Sequence, residues 1–340
     1  MIATKNSNEA EVQHWLAEYI RGSDNPDMHR YGGDLMNAAA RGQADRFLWT
    51  VRYFMDLGEM YDARVLDVGC GFGWHAVAFS VLGGNHVVAN DIRPSMTEPL
   101  EERVAVLKGQ GAPLSVEALT GDICELDLPD ESFDTIFSNQ TIEHVHNLEG
   151  MFDRCRRLLK PGGRCVVVND NNALCDEQVA EIQDMWQKRD RSWEYIDKLK
   201  KERPIENADI EPYAVMRERI IRESNATLSD QDVALIVDAT AGMIERDIRD
   251  VAGRYRPGNA LPERPRWSWC RNPVTGEYCE RQLNPYDVAG IMRSQGMRAS
   301  VRHAFRKMPL RMMNGVAFRP LNRKLFNLRP LFVVVGERPA

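Results

Sequence analysis

The chain has 340 residues, 43% of them hydrophobic and 28% charged, with a formal net charge of −6. Such a composition belongs to a globular protein with room for a full core and an elaboration on it; it excludes a fibrous or disordered chain, and no apolar run is long enough to span a bilayer. Seven cysteines without a C-x-x-C spacing exclude a disulfide framework and a zinc knuckle, and the opening MIATKNSNEAEVQHW lacks a signal-type apolar region, so free thiols in a cytoplasmic protein are expected.

In chain order, helices are expected at about Glu9 to Arg21 and Leu35 to Leu57. Arg64 to Val68 reads as a short buried strand and Trp74 to Val81 as the start of a helix, with Gly69, Gly71 and Gly73 packed between them. A strand, a tight glycine turn and a helix N-terminus make a place where backbone N–H groups face a ligand. The nicotinamide-type G-x-G-x-x-G turn is excluded, because Trp74 stands where its third glycine belongs. The spacing present is D-x-G-x-G-x-G, opened by Asp67.

A second buried strand, His86 to Asn90, ends in Asp91, 18 residues beyond Gly73. A carboxylate at that position of a doubly wound sheet can accept both hydroxyls of a ribose. A third strand, about Ser115 to Leu119, leads to Gly121-Asp122-Ile123; a fourth spans Phe133 to Ser138. Lys160 to Gly163 stop a helix and turn the chain into a fifth strand, Arg164 to Asn169. Asp67, Asp91 and Asp122 thus each stand at the C-terminal end of a predicted strand, along the crevice where open α/β sheets bind ligands.

From Arg64 to Asp170, and again from about Pro285, the sequence resembles the class I S-adenosylmethionine-dependent methyltransferases, in their small-molecule quinone and sterol branch. NPYDVAGIMRSQGMRASVRHAF is similar to that family's last helix and sixth strand, and LFVVVGER to its antiparallel closing strand. The resemblance implies a doubly wound, seven-stranded, mostly parallel α/β sheet and S-adenosyl-L-methionine as cofactor. It would place Asp67 to Gly73 around the methionine part and Asp91, with Ile92 beside it, at the ribose. Asp122 and the Ile123 N–H would meet the adenine; Asn139 and Gln140 would lie near the reactive methyl. The residue chemistry agrees, since a zwitterion with a sulfonium needs bare backbone and carboxylates rather than a lysine or magnesium phosphate cradle.

The acceptor is less defined. An in-line methyl transfer draws on positioning and water exclusion, and an oxygen acceptor usually also needs a base. In QTIEHVHN, His144 is a candidate for taking a hydroxyl proton near neutral pH, with Glu143 orienting it or facing the acceptor. The alternative is that Glu143 and His144 brace the loop against the sheet. His146 reads as a helix-start residue, His75 as a brace for the cofactor, and His303 as structural. Some quinone O-methyltransferases of the family hold a metal with a second glutamate three positions before such a Glu-His pair. Here that position is Gln140, so no metal is expected. Ser138-Asn139-Gln140-Thr141 stands where the amino-methylating branch has N-P-P-Y or D-P-P-Y, which argues against nucleic-acid bases.

Four segments are expected: 1–60, helices contributing to a lid; 61–170, the cofactor-binding core; 171–283, a mostly helical insertion over the acceptor; and 284–340, the end of the sheet. In the insertion, Asp176 to Arg189 carries a helical stripe. Ser229 to Asp232 opens a second helix with Val233, Ile236, Val237, Met243 and Ile244 on one face, and a hairpin turns at Thr275-Gly276. Tyr31, Trp186, Trp193, Tyr213, Trp267, Trp269 and Tyr278 are candidate pocket walls.

Charge is distributed unevenly. Ile291 to Pro330 contains ten basic residues and no acidic one, whereas the first 290 residues contain 33 basic and 49 acidic. Segment 306–329 therefore either lies against the acidic body, meets an anionic acceptor, or touches a membrane surface. The functional expectation is methyl transfer to a small-molecule acceptor, with a hydroxyl oxygen favoured and no nucleic acid as partner. The alternatives are transfer to a carbon of a prenyl or lipid acceptor, a nucleic-acid methyltransferase, and a non-catalytic binder of the cofactor. Oligomeric state is not readable.

Overall fold

The computed structural model describes residues 9–29, 32, 44–202, 204, 207–265, 268–315 and 319–340. The chain divides into two compact units. The first comprises Met1–Ile142, Asn147–Asp170 and Asn284–Ala340; the second comprises Glu143–His146 and Asn171–Leu283.

The first unit is built on seven strands: β1 (Arg64–Val68), β2 (His86–Asp91), β3 (Val116–Thr120), β4 (Phe133–Asn139), β5 (Leu159–Asn169), β6 (Arg298–His303) and β7 (Phe332–Glu337). They form one sheet in the order β3-β2-β1-β4-β5-β7-β6. β7 runs antiparallel to both neighbours, and the remaining pairs are parallel. This is the doubly wound, mostly parallel architecture expected. Central strands read as apolar runs rather than alternations because helices cover both faces. Chain order reverses between β1 and β4, and the crevice at that switch point lies beyond the C-terminal end of β1, where Asp67 and the glycines sit.

Several boundaries differ from expectation. Pro161-Gly162-Gly163 lies inside β5 as an irregularity: pairing with β4 shifts between Phe133↔Leu159 and Thr135↔Arg164, and Gly162 takes φ 81°. The N-terminal helices were expected to join a lid. Instead Glu9–Arg21 buries Val12, Leu16, Tyr19 and Ile20, and Ala44–Gly58 buries Leu48, Val51, Phe54 and Met55, all within the cluster that holds Val65, Phe79 and Phe137 of the first unit. The i, i+4 spacing of their apolar residues supplies the stripe that docks there. The expected helix start at Leu35, and Tyr31, fall outside the described residues.

The second unit consists of Asn171–Leu283 together with Glu143–His146. Its helices are Asp176–Arg191, Trp193–Glu202, Tyr213–Ser224, Asp230–Ala239 and Glu245–Arg254. Ser229 caps the Asp230 helix by accepting from the Asp232 N–H at 3.2 Å, as the sequence suggested. The helix ends at Ala239, however, so Met243 and Ile244 are not on its stripe. Gly242, at φ 90°, turns the chain into the Glu245 helix instead. The expected hairpin is reduced to one bridge, Arg271↔Tyr278, around Gly276 at φ 76°. At the centre, the Arg217 guanidinium donates to both Asp190 oxygens, at 2.8 and 3.1 Å, and to the Val237 carbonyl at 3.0 Å.

Three of the aromatic pocket candidates are core. Trp186, Tyr213 and Trp269 pack in one buried cluster, with the Trp186 and Trp269 rings 5.6 Å apart edge to face. The Trp186 indole N–H donates to the Cys279 carbonyl at 2.5 Å, which satisfies its polar atom. Trp193 is 49% exposed. Tyr278 lies between the Arg271 and Arg281 guanidiniums, 4.8 and 4.7 Å from its ring. Trp267 lies outside the described residues.

Candidate functional site

The glycine turn between β1 and the Trp74–Gly83 helix needs its glycines for separate reasons. Gly69, Gly71 and Gly73 all have positive φ, at 70°, 52° and 74°. A Cβ on Gly69 would lie 2.2 Å from Thr141, and one on Gly73 would lie 2.6 Å from Leu100; these two let chain segments approach. A Cβ on Gly71 would meet nothing within 4 Å, so it would project into open space above the turn. No side chain caps the helix that follows, so its first-turn amides face that space.

Asp67 closes β1. Its side chain is only 2% exposed, and its Oδ2 is buried without a hydrogen-bond partner. Burial first, and then the negative charge of Asp91, push its carboxyl up to about 8. A buried carboxylate with an unsatisfied oxygen beside a second carboxylate is held as an anion only when a cation joins it.

Asp91, at the end of β2, accepts from the Gly71 N–H through Oδ2 and from the Arg93 N–H through Oδ1, both at 3.0 Å. It thereby pins the middle of the glycine turn as well as lying where a ribose carboxylate belongs. Each oxygen keeps a further lone pair for a hydroxyl. Ile92 follows it and is 62% exposed, an apolar surface at the sheet edge. Asp122 accepts from the Cys124 N–H at 2.8 Å, and Ile123 is buried beside it. The first unit therefore brings Asp67, the glycines, Asp91, Ile92, Asp122 and Ile123 to one edge of the sheet.

Two positioning residues escaped the sequence reading. The Asn90 side-chain amide donates to the Leu119 and Gly121 carbonyls, both at 3.0 Å, which ties the Asp122 loop to β2. The Tyr19 hydroxyl donates to the Phe72 carbonyl at 2.7 Å and braces the glycine turn from the N-terminal helix. Asn90 was legible as an amide inside an apolar strand. Tyr19 carried no signal, because its partner is 53 residues away.

Asn139 is the last residue of β4, and Gln140 follows it at φ 52°. Gln140 links the strand ends: its N–H donates to the Val168 carbonyl at 3.0 Å, and its Oε1 accepts from the Asp170 N–H at 3.3 Å. His75 touches four aromatic rings, those of Phe47, Phe54, Phe79 and Phe137, at 5.3 to 6.3 Å. Burial lowers its imidazole to about 4, so it stays neutral and acts as a packing group. His303 Nε2–H donates to Asn322 Oδ1 at 2.8 Å in the core, the structural role expected.

Glu143 and His144 belong to the second unit. Backbone pairing with the 278–281 stretch holds them there, through Tyr278 N–H to the His144 carbonyl and Arg281 N–H to the Glu143 carbonyl, both at 3.3 Å. His144 Nδ1 is 2.9 Å from the Tyr278 carbonyl, which fixes a proton on that nitrogen. Its Nε2 faces Glu143 Oε1 and Glu280 Oε1, each at 3.9 Å, and Glu277 lies 3.8 Å from Nδ1. Burial alone would lower its pKa. Glu143, Glu280, the Tyr278 carbonyl and Glu277 together overcome that and raise it to about 9. A value of about 9 favours the imidazolium at neutral pH, whereas the sequence led to the expectation of a neutral base.

Glu280 is the group that the sequence reading missed. Donor atoms of Glu143, His144 and Glu280 all lie within 4.8 Å of one another, an arrangement with the geometry to hold a metal ion. The extra carboxylate that Gln140 cannot supply comes instead from residue 280, so Gln140 does not exclude a metal here. Asn171 Nδ2 donates to the other Glu280 oxygen at 2.6 Å. A cation entering here must displace the His144 proton.

Residues 66–167 match the family described as "Methyltransferase domain". Over these residues the chain is similar to methyltransferase domains. The chain is 34% identical over 102 residues to a sterol 24-C-methyltransferase of Pneumocystis carinii (strain B80), covering 29% of this chain and 26% of that protein. It is 36% identical over 124 residues to a ubiquinone biosynthesis O-methyltransferase of Xylella fastidiosa (strain 9a5c), covering 35% and 47%. It is 33% identical over 127 residues to phosphoethanolamine N-methyltransferase 3 of Arabidopsis thaliana, covering 36% and 24%. The chain thus spans between a quarter and a half of the length of these curated relatives.

Proposed function

We propose that this protein is a methyltransferase that uses S-adenosyl-L-methionine to methylate a small-molecule acceptor. The observation that carries the reading is Asp67, a buried carboxylate with an unpartnered oxygen, set beside Asp91 under an open glycine turn. Its environment calls for a cation, and the cofactor's ammonium and sulfonium supply one. Asp91 would hold the ribose hydroxyls and Asp122 the adenine amino group. When bound, the cofactor supplies an electrophilic methyl on sulfur. The relatives' names cover transfer to carbon, oxygen and nitrogen, so the acceptor atom rests on this chain's own residues.

An oxygen acceptor is the reading we favour. Glu143 is 1% exposed and lies beside the His144 imidazolium, an arrangement that suits a carboxylate taking a hydroxyl proton while the cation balances its charge. Among the described residues no helix is long and apolar enough to cross a membrane.

Calorimetry with S-adenosylhomocysteine and with NADH tests the cofactor assignment: the nucleoside should bind and NADH should not. Turnover of methyl-labelled cofactor in a metabolite extract tests the enzyme assignment. Glu143→Gln should keep cofactor affinity and lose turnover. Binding of NADH in place of the nucleoside would overturn the proposal.

A further inference from the structure

The stretch joining β6 to β7 is longer than a hairpin requires, and its surface is of one kind. β6 pairs with β7 through His303↔Phe332, and β7 pairs with β5 through Asn169↔Phe332. The chain therefore leaves β6 after His303 and enters β7 at Phe332 at the C-terminal edge of the sheet, the same edge of the first unit that carries the glycine turn, Asp91 and Ile92.

The stretch is anchored rather than loose. Asn314 bonds both the N–H and the carbonyl of Phe305, at 2.8 and 3.0 Å. Leu325 and Phe326 of the Arg319–Leu328 helix are buried, and Arg329 donates to the Ala304 carbonyl at 2.6 Å. Its outward side combines two features that rarely coexist without a partner. Met308, Leu310, Met312 and Leu328 are 66%, 37%, 71% and 68% exposed, four of the ten large hydrophobic residues exposed among the described residues. Lys307, Arg311, Arg323 and Lys324 are exposed among them, and no acidic residue occurs between Ile291 and Pro330.

We propose that this face docks on the surface of a membrane containing anionic lipid. Basic side chains would meet the phosphates and carboxylates of the headgroups while the methionines and leucines enter the boundary with the acyl chains. Neither feature alone suffices. Charge without apolar exposure would suit any polyanion, and four solvated apolar side chains without charge would suit any hydrophobic partner. The first 290 residues hold 33 basic against 49 acidic residues, so the chain's excess positive charge is concentrated in this segment. Docking there would present the cofactor edge to a bilayer. The claim itself concerns adsorption and stands whether or not the methyl-transfer reading holds.

Flotation of the full chain with vesicles tests it. Vesicles of phosphatidylcholine with about one-third phosphatidylserine should carry the protein and pure phosphatidylcholine should not, with binding weakened by added salt. Each basic charge removed should weaken binding about fivefold, so the Arg311→Gln/Lys324→Gln pair should lose about 25-fold. Met312→Ser/Leu328→Ser should weaken it with all charges kept. All four positions are exposed, so unfolding temperature and S-adenosylhomocysteine affinity should match the parent. Absence of flotation with anionic vesicles overturns the proposal. So does indifference to the methionine and leucine changes, or binding to an oligonucleotide that outcompetes the vesicles, which would assign the face to nucleic acid.

Discussion

Replacing Asp67 by asparagine separates what this residue does for the ligand from what it does to the fold. With a carboxyl pushed up to about 8, only about one-tenth of the protein carries the Asp67 anion at pH 7. If the cationic cofactor binds that anion, each binding event below pH 8 expels a proton, and apparent affinity falls about tenfold per pH unit. Between pH 8 and pH 6 the loss amounts to about 50-fold, or about 2.3 kcal/mol, because half of the protein already carries the proton at pH 8. The asparagine variant has no proton to expel. Its affinity should be far weaker than the parent's at pH 8.5, and the gap should close toward pH 6. Calorimetry with S-adenosylhomocysteine in two buffers of different ionisation enthalpy reads both the affinity and the proton count. The ligand's own titration is common to both proteins, so their ratio isolates Asp67. A parent affinity that stays flat from pH 6 to 8.5, or a variant with the same profile, would refute the reasoning.

The same shift fixes the sign of a stability effect. The folded state binds the Asp67 proton more tightly than the unfolded state, whose carboxyl titrates near 3.8. Ligand-free stability therefore falls as pH rises between about 4 and 8. Asparagine removes that loss, so the ligand-free variant should melt higher than the parent at pH 8 while binding worse, a stability penalty held for function.

Further expectations can be checked separately. Gly71→Ala places a methyl in the open cradle and strains a φ of 52°, so it should cost about 1–2 kcal/mol in stability and, in calorimetry, weaken the nucleoside more than it weakens the fold. His75 is held near 4 against 6.5 unfolded, so its contribution is complete above pH 6.5 and lost as pH falls toward 4. With its ring partly exposed, about 2 kcal/mol is expected, and in chemical denaturation His75→Phe should flatten that part of the stability profile. Arg217→Ala leaves Asp190 buried without its guanidinium, so the second unit should lose about 3–5 kcal/mol in denaturant unfolding. Nuclear magnetic resonance should find His144 charged at pH 7.5, and Glu280→Gln should lower its pKa.

The sheet was legible because its information is local. Five strands carry their own apolar runs, and β1 was placed at Arg64–Val68 as observed. The glycines and aspartates lie at or just beyond the C-terminal ends of those strands, so their grouping follows from topology alone. The N-terminal helices were found but their packing partners were not, since an apolar stripe at Val12, Leu16 and Tyr19 states that a face is buried and not what covers it. The Met243 and Ile244 misplacement has the same origin: apolar spacing continued across Gly242, where the backbone did not.

Charge state was the least legible property of the acid-histidine group. His144 was sought as a base because an isolated imidazole titrates near neutrality. The largest upward push on it comes from the adjacent Glu143; Glu280 and Glu277 add to that push, follow it by more than 130 residues and reach it only through the pairing of 143–146 with 278–281. Among those three glutamates the proton is retained. Glu143, the most buried carboxylate of the group, then remains as the acceptor available to a hydroxyl, with the imidazolium as its counter-charge. Removing Glu280 should therefore act on turnover in the direction opposite to a simple loss of a ligand-binding group. A less basic His144 regains the ability to take a proton near pH 7, so the Glu280→Gln pH profile should gain a limb near neutrality that the parent lacks.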